Sequence, residues 1–552
     1  MQRVLKLFHR VLIAVALIVM VFHLAVYVAY AANLIPFPFD YDQGEGFELY
    51  DTQLFSEFQT PYRDLEPYPY YASNYPPVFH LIAVPFAWLF GPQYWYGRLL
   101  GVLGTLITAY AIGYAVWKDG QHRTGRGNLI IGILAGLAFL ASNITYRQGP
   151  LLRQQMSMVM FETLAVVILT QAENFFRVTW RKQRLFLLGF GMLILAGYTK
   201  QLAAYSAIAV LIWLFLRNPR RAIAWGTLFA AVGAFIFALL YVSSNGQWWK
   251  QAIAANVNTI FWPQVEGLFR LWYGLHGFLI IPAALLCLYE LYFERLSLYV
   301  IWFGVTLTLG GISSGTWGGG DSYFATSVAG LSLLSGIFFS RWLAGDFKFP
   351  PNYLTRILGI LKPLTPLVTA SALLIVPLLY IGYGRAVLKM PTTGVLFEPL
   401  ANWWGLEPNA LNGFYDSAGR IAGGYSDIGH FVTAQDYANA ERIADYVRNS
   451  EKPVLSEEAG FSFRAGRDVV SNPTQLLNVW LRGQYDGTTL INQIDRQEFG
   501  YIILRAQFYP TPVLLAISRA YETVDVIPMN GFEYIIKAPK TGQWGGDDYY
   551  LK

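Results

Sequence analysis

A polytopic α-helical membrane protein with about eleven transmembrane helices, followed by a soluble α/β C-terminal domain, is the fold class this sequence predicts. Three observations predict it. The 552 residues are 55% hydrophobic and only 14% charged, where a soluble globular domain carries about 25% charged residues. The deficit is uneven: residues 1–383 form a series of apolar runs, whereas 384–552 have the composition of a water-soluble domain. Between the runs, basic residues cluster in the N-terminal tail, 118–126, 172–184, 217–221 and 341–363.

The first run, 11–32, follows Arg3, Lys6 and Arg10, and its Ala29-Tyr30-Ala31 resembles a signal-peptide cleavage site. A signal peptide has an apolar region of about 7–15 residues, and this run of about 22 is long enough to span the bilayer, so a retained helix is expected. Lys and Arg bias loops toward the cytoplasm. Two clusters are dense: Arg177, Arg181, Lys182 and Arg184, and Arg341, Lys348, Arg356 and Lys362. Placing all five clusters and the N-terminus inside leaves 33–76, 147–154, 244–271, 313–322 and the C-terminal domain outside. Spans then lie near 11–32, 95–117, 128–146, 155–171, 185–199, 201–217, 222–243, 272–292, 297–314, 323–341 and 364–385.

Segment 77–91 does not fit: it is apolar but about 15 residues long, where a straight span needs about 20. It is read as an interfacial or re-entrant helix at the outer surface, since a crossing here would invert every later loop. The run 185–217 has basic residues at both ends and must be a hairpin, with Tyr198-Thr199-Lys200-Gln201 at its outer tip. Lys200 there either snorkels to water or meets an anion.

The formal charge of +5 is small for this size and reads through topology, not nucleic-acid binding. Cys287 is the single cysteine, which excludes a disulfide within the chain and a cysteine metal cluster. The six His are scattered, without an HxxxH pair. Abundant aromatics suit interfacial belts and sugar-stacking surfaces equally.

The loop after the first span carries Asp40, Asp42, Glu45, Glu48, Asp51, Glu57, Asp64 and Glu66 against a lone Arg63. Gly44 and Gly46 leave a permissive backbone where carboxylates crowd. Phe47, Tyr50, Leu54 and Phe58 recur at helical spacing, predicting a short amphipathic helix on the membrane surface. A carboxylate at the mouth of the bilayer could deprotonate a hydroxyl, helped by a raised pKa. Charge alone fits a solvated acidic loop as well.

Order and placement of motifs say more. Asp42-Gln-Gly-Glu45-Gly in the first outer loop is followed by Asn74-Tyr75-Pro76-Pro77, Leu89-Phe90-Gly91, Arg98-Leu99-Leu100 and an outer Gly-rich segment from Ser314 to Tyr323. Together they resemble the GT-C superfamily of integral-membrane glycosyltransferases, especially bacterial enzymes related to protein O-mannosyltransferases and the lipid A aminoarabinose transferase. The resemblance implies transfer of a sugar, usually with inversion, from a polyprenyl-phosphate donor to an acceptor outside the cytoplasm. It makes Asp42 the leading catalytic base and Glu45 its understudy. Several relatives have Glu-Lys where this chain has Asn74-Tyr75, so Lys200, Arg147 and Arg153 become the candidate phosphate ligands. Cations there would stabilise charge growing on the departing phosphate.

Further substrate contacts are expected from Asp40, Tyr75, Gln201, Asn256, Asp321 and Tyr323. In loop 244–271, Trp248, Trp249 and Trp262 either contact sugar or form an aromatic belt, beside Asn256 and Asn258. Gly318-Gly319-Gly320 either lets backbone approach a ligand or is a tight interhelical connection. Asp40, Asp42 and Glu45 could hold a divalent cation, but metal-independent chemistry, with no cofactor, is the expectation. The acceptor is a glycan, lipid or protein.

In the C-terminal domain, helices are predicted at 434–449, 474–483, 488–497 and 511–520, and strands at Val454-Leu455, Val469-Val470, 501–504 and 534–536. It holds no phosphate loop or nucleophile elbow, so it reads as an acceptor-binding or shielding module. Glu457 and Glu458 read as surface charges. A transporter or flippase is the rival function, and a sugar sensor a third. The absence of a clear inverted repeat, and acids placed at the surface instead of mid-membrane, count against transport.

Overall fold

A computed structural model describes residues 2–125, 127–172, 179–351, 353–358, 365–419 and 430–541; Arg177 and Lys362 lie outside them. Among the described residues, six helices are long and apolar enough to cross a membrane. They are carried by Gln2–Leu34, Tyr94–Thr124, Pro219–Ser243, Trp262–Phe293, Ala325–Ala344 and Thr365–Ala386. Shorter apolar helices, Leu129–Ala141, Gln154–Thr170, Gln201–Arg217 and Leu298–Ser313, sit at other predicted spans. Pro219–Ser243 exposes Leu228, Phe235 and Leu239, side chains that need lipid around them. The chain is an integral membrane protein. Its first helix is part of the bundle: His23 Nε2 lies 2.9 Å from the Gly384 carbonyl on the last one, and Tyr27, Tyr30 and Ala31 are buried.

Polar contacts sort the loops onto two ends of the bundle. At one end Arg123 pairs with Glu294 and Asp346, each at 2.6 Å, and Arg341 pairs with Asp119 at 2.8 Å. At the other, Gln201 donates to the Ala252 carbonyl at 2.5 Å, and Gln264 donates to the Ser314 carbonyl at 2.8 Å. This division matches the one that loop charge predicts.

The helix Val78–Phe90 has 13 residues, roughly 20 Å of rise against a hydrocarbon core of about 30 Å. The Val78 amide donates to the Tyr198 carbonyl at 2.9 Å. Just beyond its other end, the Tyr94 hydroxyl donates to Asp40 at 2.8 Å. Both ends therefore meet the second set of loops, in keeping with an interfacial or re-entrant helix.

After the last helix, β1 (Lys389–Pro391) pairs antiparallel with β2 (Phe414–Asp416). A four-stranded sheet follows, from β3 (Val454–Ser456), β4 (Tyr501–Leu504), β5 (Tyr521–Met529) and β6 (Phe532–Pro539), in the order β3-β4-β6-β5. The β3–β4 pair is parallel and the others antiparallel. Helices Ala434–Arg448, Pro473–Leu481, Thr488–Asp495 and Thr511–Ala520 cover it, close to prediction.

Two expectations are corrected here, and a strand is added. Val469 and Val470 are not a strand; both are buried, and Ser471 makes only an isolated bridge to Tyr70. β5 was missed, although Asn530-Gly531, both at positive φ, is the dipeptide favoured in a tight hairpin turn. Glu457 and Glu458 are not surface charges: each is 1% exposed. The chain after β4 turns the amides of residues 505–508 onto the Glu457 carboxylate, while Glu458 bonds Arg505 and the Tyr534 hydroxyl.

Candidate active site

Most of the acidic loop is folded inward, not solvated: Asp40, Asp42, Glu45, Glu48 and Asp51 are all buried. The predicted short helix exists, as Glu45–Ser56, but it turns Glu45, Glu48 and Asp51 inward along with Phe47 and Leu54. Gly44 caps its start at φ 102°. A Cβ there would be strained by that φ and would stand 3.0 Å from the Arg153 guanidinium, so glycine lets this cation lie across the turn.

Glu45, the expected reserve base, has both oxygens taken. Arg98 holds them at 3.0 and 2.9 Å, and the amides of Leu152, Tyr41 and Asp42 donate to them at 2.7, 2.9 and 3.2 Å. Burial opposes ionisation, yet Arg98 and these amides keep the carboxyl below its ordinary range. Asp40 is corrected likewise. Its acceptors are filled by the Gly46 amide at 2.6 Å, the Tyr94 hydroxyl at 2.8 Å and the Gly460 amide at 2.9 Å. It fastens the C-terminal domain to the loop and does not reach substrate space.

Asp42 differs. It faces a polar cleft of about 430 Å³ together with Glu48, Tyr75, Arg153, Lys200, Gln201, Asn256, Asp321 and Tyr323. Residues from the acidic loop, the hairpin tip, loop 244–271 and the Gly-rich segment thus converge, as expected. Arg153 Nε donates to Asp42 Oδ2 at 2.7 Å, and its Nη1 lies 3.4 Å from Glu48 Oε1. Burial pushes the Asp42 carboxyl above its usual range, with Arg153 working the other way.

Lys200 is buried at the hairpin tip, donating to Gln155 Oε1 at 2.9 Å. Its ammonium lies 5.2 Å from the Tyr75 ring centre and 5.4 Å from that of Tyr323, within cation–π range. Burial, and then Arg153, lower its pKa to about 8. Among the described residues it has no carboxylate within ion-pair distance. Such a cation, boxed by two rings, is suited to an incoming anion.

Arg147 is a further correction. It does not line the cleft but pairs with Asp321, which does, and donates to the Asn143 carbonyl. The Trp question also resolves: Trp248 is buried against Tyr198 and Phe237, Trp249 and Trp262 are exposed, and none of the three lines the cleft. Asn256 and Asn258 do.

Sequence reasoning missed the C-terminal domain's share: Asn472, Thr474, Asn478 and Phe508 close one side of the cleft. Thr474 donates to Gln43 Oε1 at 3.2 Å. No spacing in the chain links positions some 400 residues apart. Possible metal ligands also shift. Asp40 and Glu45 are committed, whereas Glu48, Asp51 and His80 bring ligand atoms within 4.8 Å of one another.

No protein-family model matches the chain, and no curated protein matches it by sequence. Among solved structures the fold is similar to that of ArnT from Cupriavidus metallidurans. The apo state superposes with a TM-score of 0.53 at 13% identity, covering 93% of this chain and 97% of that one. ArnT bound to undecaprenyl phosphate gives a TM-score of 0.51 at the same identity and coverage. The fold of this chain is the polytopic helical membrane fold of ArnT, here with a C-terminal sheet domain.

Proposed function

We propose that this protein is a glycosyltransferase that moves a sugar from a polyprenyl-phosphate donor to an extracytoplasmic glycan, lipid or protein acceptor, with inversion. One observation carries the reading: a cleft that sets an elevated-pKa carboxylate, Asp42, beside two cations, Arg153 and Lys200. The fold shared with ArnT, solved bound to undecaprenyl phosphate, supports it.

In this reading the donor phosphate lies between Arg153 and Lys200. Asp42 removes the proton from the acceptor hydroxyl, whose oxygen forms the new bond to the sugar's anomeric carbon. The bond from that carbon to the phosphate oxygen breaks, and its electron pair leaves with the polyprenyl phosphate. Cations fixed at the oxygen where charge grows stabilise the transition state more than the ground state. Arg153 links the two tasks: it favours the ionised form of Asp42 against the effect of burial, and a phosphate that draws the guanidinium away makes the carboxylate a stronger base.

Turnover of a radiolabelled polyprenyl-phosphate sugar by protein in proteoliposomes tests the activity. Label is expected to move to an acceptor fraction; substrate crossing the bilayer without transfer would favour a transporter instead. Lys200 adds a pH signature. It is charged below its pKa of about 8, so kcat/KM for donor should fall as pH rises through about 8. Lys200→Arg should move this alkaline limb upward, because guanidinium stays charged. An unmoved limb in that variant would assign the titration to another group.

A further inference from the structure

The last membrane helix, Thr365–Ala386, has 22 residues, about 33 Å of rise against a hydrocarbon core of about 30 Å. Its Ala386 end therefore marks the cleft-side edge of that core. His23 meets the Gly384 carbonyl there, which puts Phe22 of the first helix at the same level. The first helix then rises past this edge: Val26, Tyr27, Tyr30 and Leu34 share a core with Met390, Ala401 and Phe414 of the C-terminal domain.

After β1 the chain forms a short helix, Glu398–Trp404, against Phe22. The Phe22 ring centre lies 6.4 Å from that of Phe397 and 5.7 Å from that of Trp404, and Ala401 is buried. These positions form the face turned to the first helix. Glu398 and Asn402, four apart, share one flank, and Pro399 and Trp403 share the other. Just before the helix, Val395 is 93% exposed and Leu396 77%; Trp403 is 78% exposed, and Trp404 is exposed as well.

Large apolar side chains gathered in so short a segment mark a contact surface, and its position selects the bilayer as the partner. Ile18 and Val21, on the same stretch of the first helix as Phe22, are exposed and face lipid, so the patch continues a surface that lipid already covers. Tryptophan is favoured where headgroups meet acyl chains. We propose that segment 395–404 inserts into the cleft-side leaflet. Val395, Leu396 and Trp403 lie at the boundary between headgroups and acyl chains, and the Glu398–Asn402 flank stays in water. A helix lying in this way buries its apolar side about 5–10 Å deep. The insertion fastens the base of the C-terminal domain to the membrane, although residues 384–552 have the composition of a water-soluble domain. It stands apart from the proposed transfer reaction and is tested without it.

The experiment measures collision rates of a nitroxide label on the full-length protein in lipid nanodiscs. Cys287→Ala removes the natural thiol, and Val395→Cys or Trp403→Cys then carries the label. Phe235→Cys, on the helix Pro219–Ser243, is the lipid standard, and Leu515→Cys, on the C-terminal domain, is the water standard. All four side chains are exposed, so none is needed for core packing. At 395 and 403, collisions with oxygen should exceed those with a water-soluble nickel chelate, as at 235, and nickel collisions should be about tenfold fewer than at 515. Nickel collisions equal to those at 515 would overturn the proposal. Shielding from both reagents would overturn it too, because that result puts protein, such as a second copy of the chain, on the patch.

Discussion

Asp42→Asn is expected to lower kcat for sugar transfer by about 10²–10⁴-fold, the usual contribution of a general base. Asparagine keeps the size and loses the basic oxygen. Donor affinity should hold or improve, because the variant frees Arg153 from its ion pair with Asp42 and leaves the guanidinium for phosphate. A fall in kcat without a rise in KM is the mark of an interaction made in the transition state. Thermal stability should change little, since the partly exposed Arg153 keeps Glu48 at 3.4 Å and the Gln43 carbonyl as partners. If Asp42→Asn turned over donor at the natural rate, another group would be the base.

Arg98→Met should instead destabilise the fold, by about 3–5 kcal/mol, the usual cost of stranding one partner of a buried ion pair. Arg98 is fully buried. Its guanidinium bonds both Glu45 oxygens and the carbonyls of Leu34, Phe37 and Phe39. All five N–H donors are thereby used. Lys cannot reproduce that fork, so Arg98→Lys should recover little. The double variant Arg98→Met/Glu45→Gln should lose less than the sum of the single losses, because neither strands a charge once both are gone. Denaturation monitored in detergent measures all four proteins. Additive losses would show that the pair is not coupled.

These two variants separate carboxylates that look alike in the sequence. Asp42 and Glu45 lie three residues apart in one acidic motif, and the loop's position after the first span was enough to single both out. What distinguishes them is long-range. Arg98 reaches Glu45 from 53 residues away, and Arg153 reaches Asp42 from 111. A charge pattern cannot reveal which cation closes on which anion.

The same reason explains the other differences. Helix 78–90 was legible because its apolar length is a local property, and Lys200 because basic flanks forced a hairpin around it. Lys200's aromatic box was not, since Tyr75 and Tyr323 arrive from separate segments. Glu457 and Glu458 look solvated in a polar stretch until the backbone of residues 505–508 folds over them. His80 is an unremarkable residue of an apolar helix until Glu48 and Asp51 are set opposite it.

The central claim is that the Asp42 cleft is the seat of a polyprenyl-phosphate donor. Its most direct test is a density map of the full-length protein in lipid nanodiscs with undecaprenyl phosphate added. The account predicts a lipid phosphate between Arg153 and Lys200, with nitrogen–oxygen distances of about 2.7–2.9 Å for charge-assisted hydrogen bonds. A phosphate bound instead at the opposite end of the bundle, beside Arg123 and Arg341, with the cleft holding only water, would contradict it.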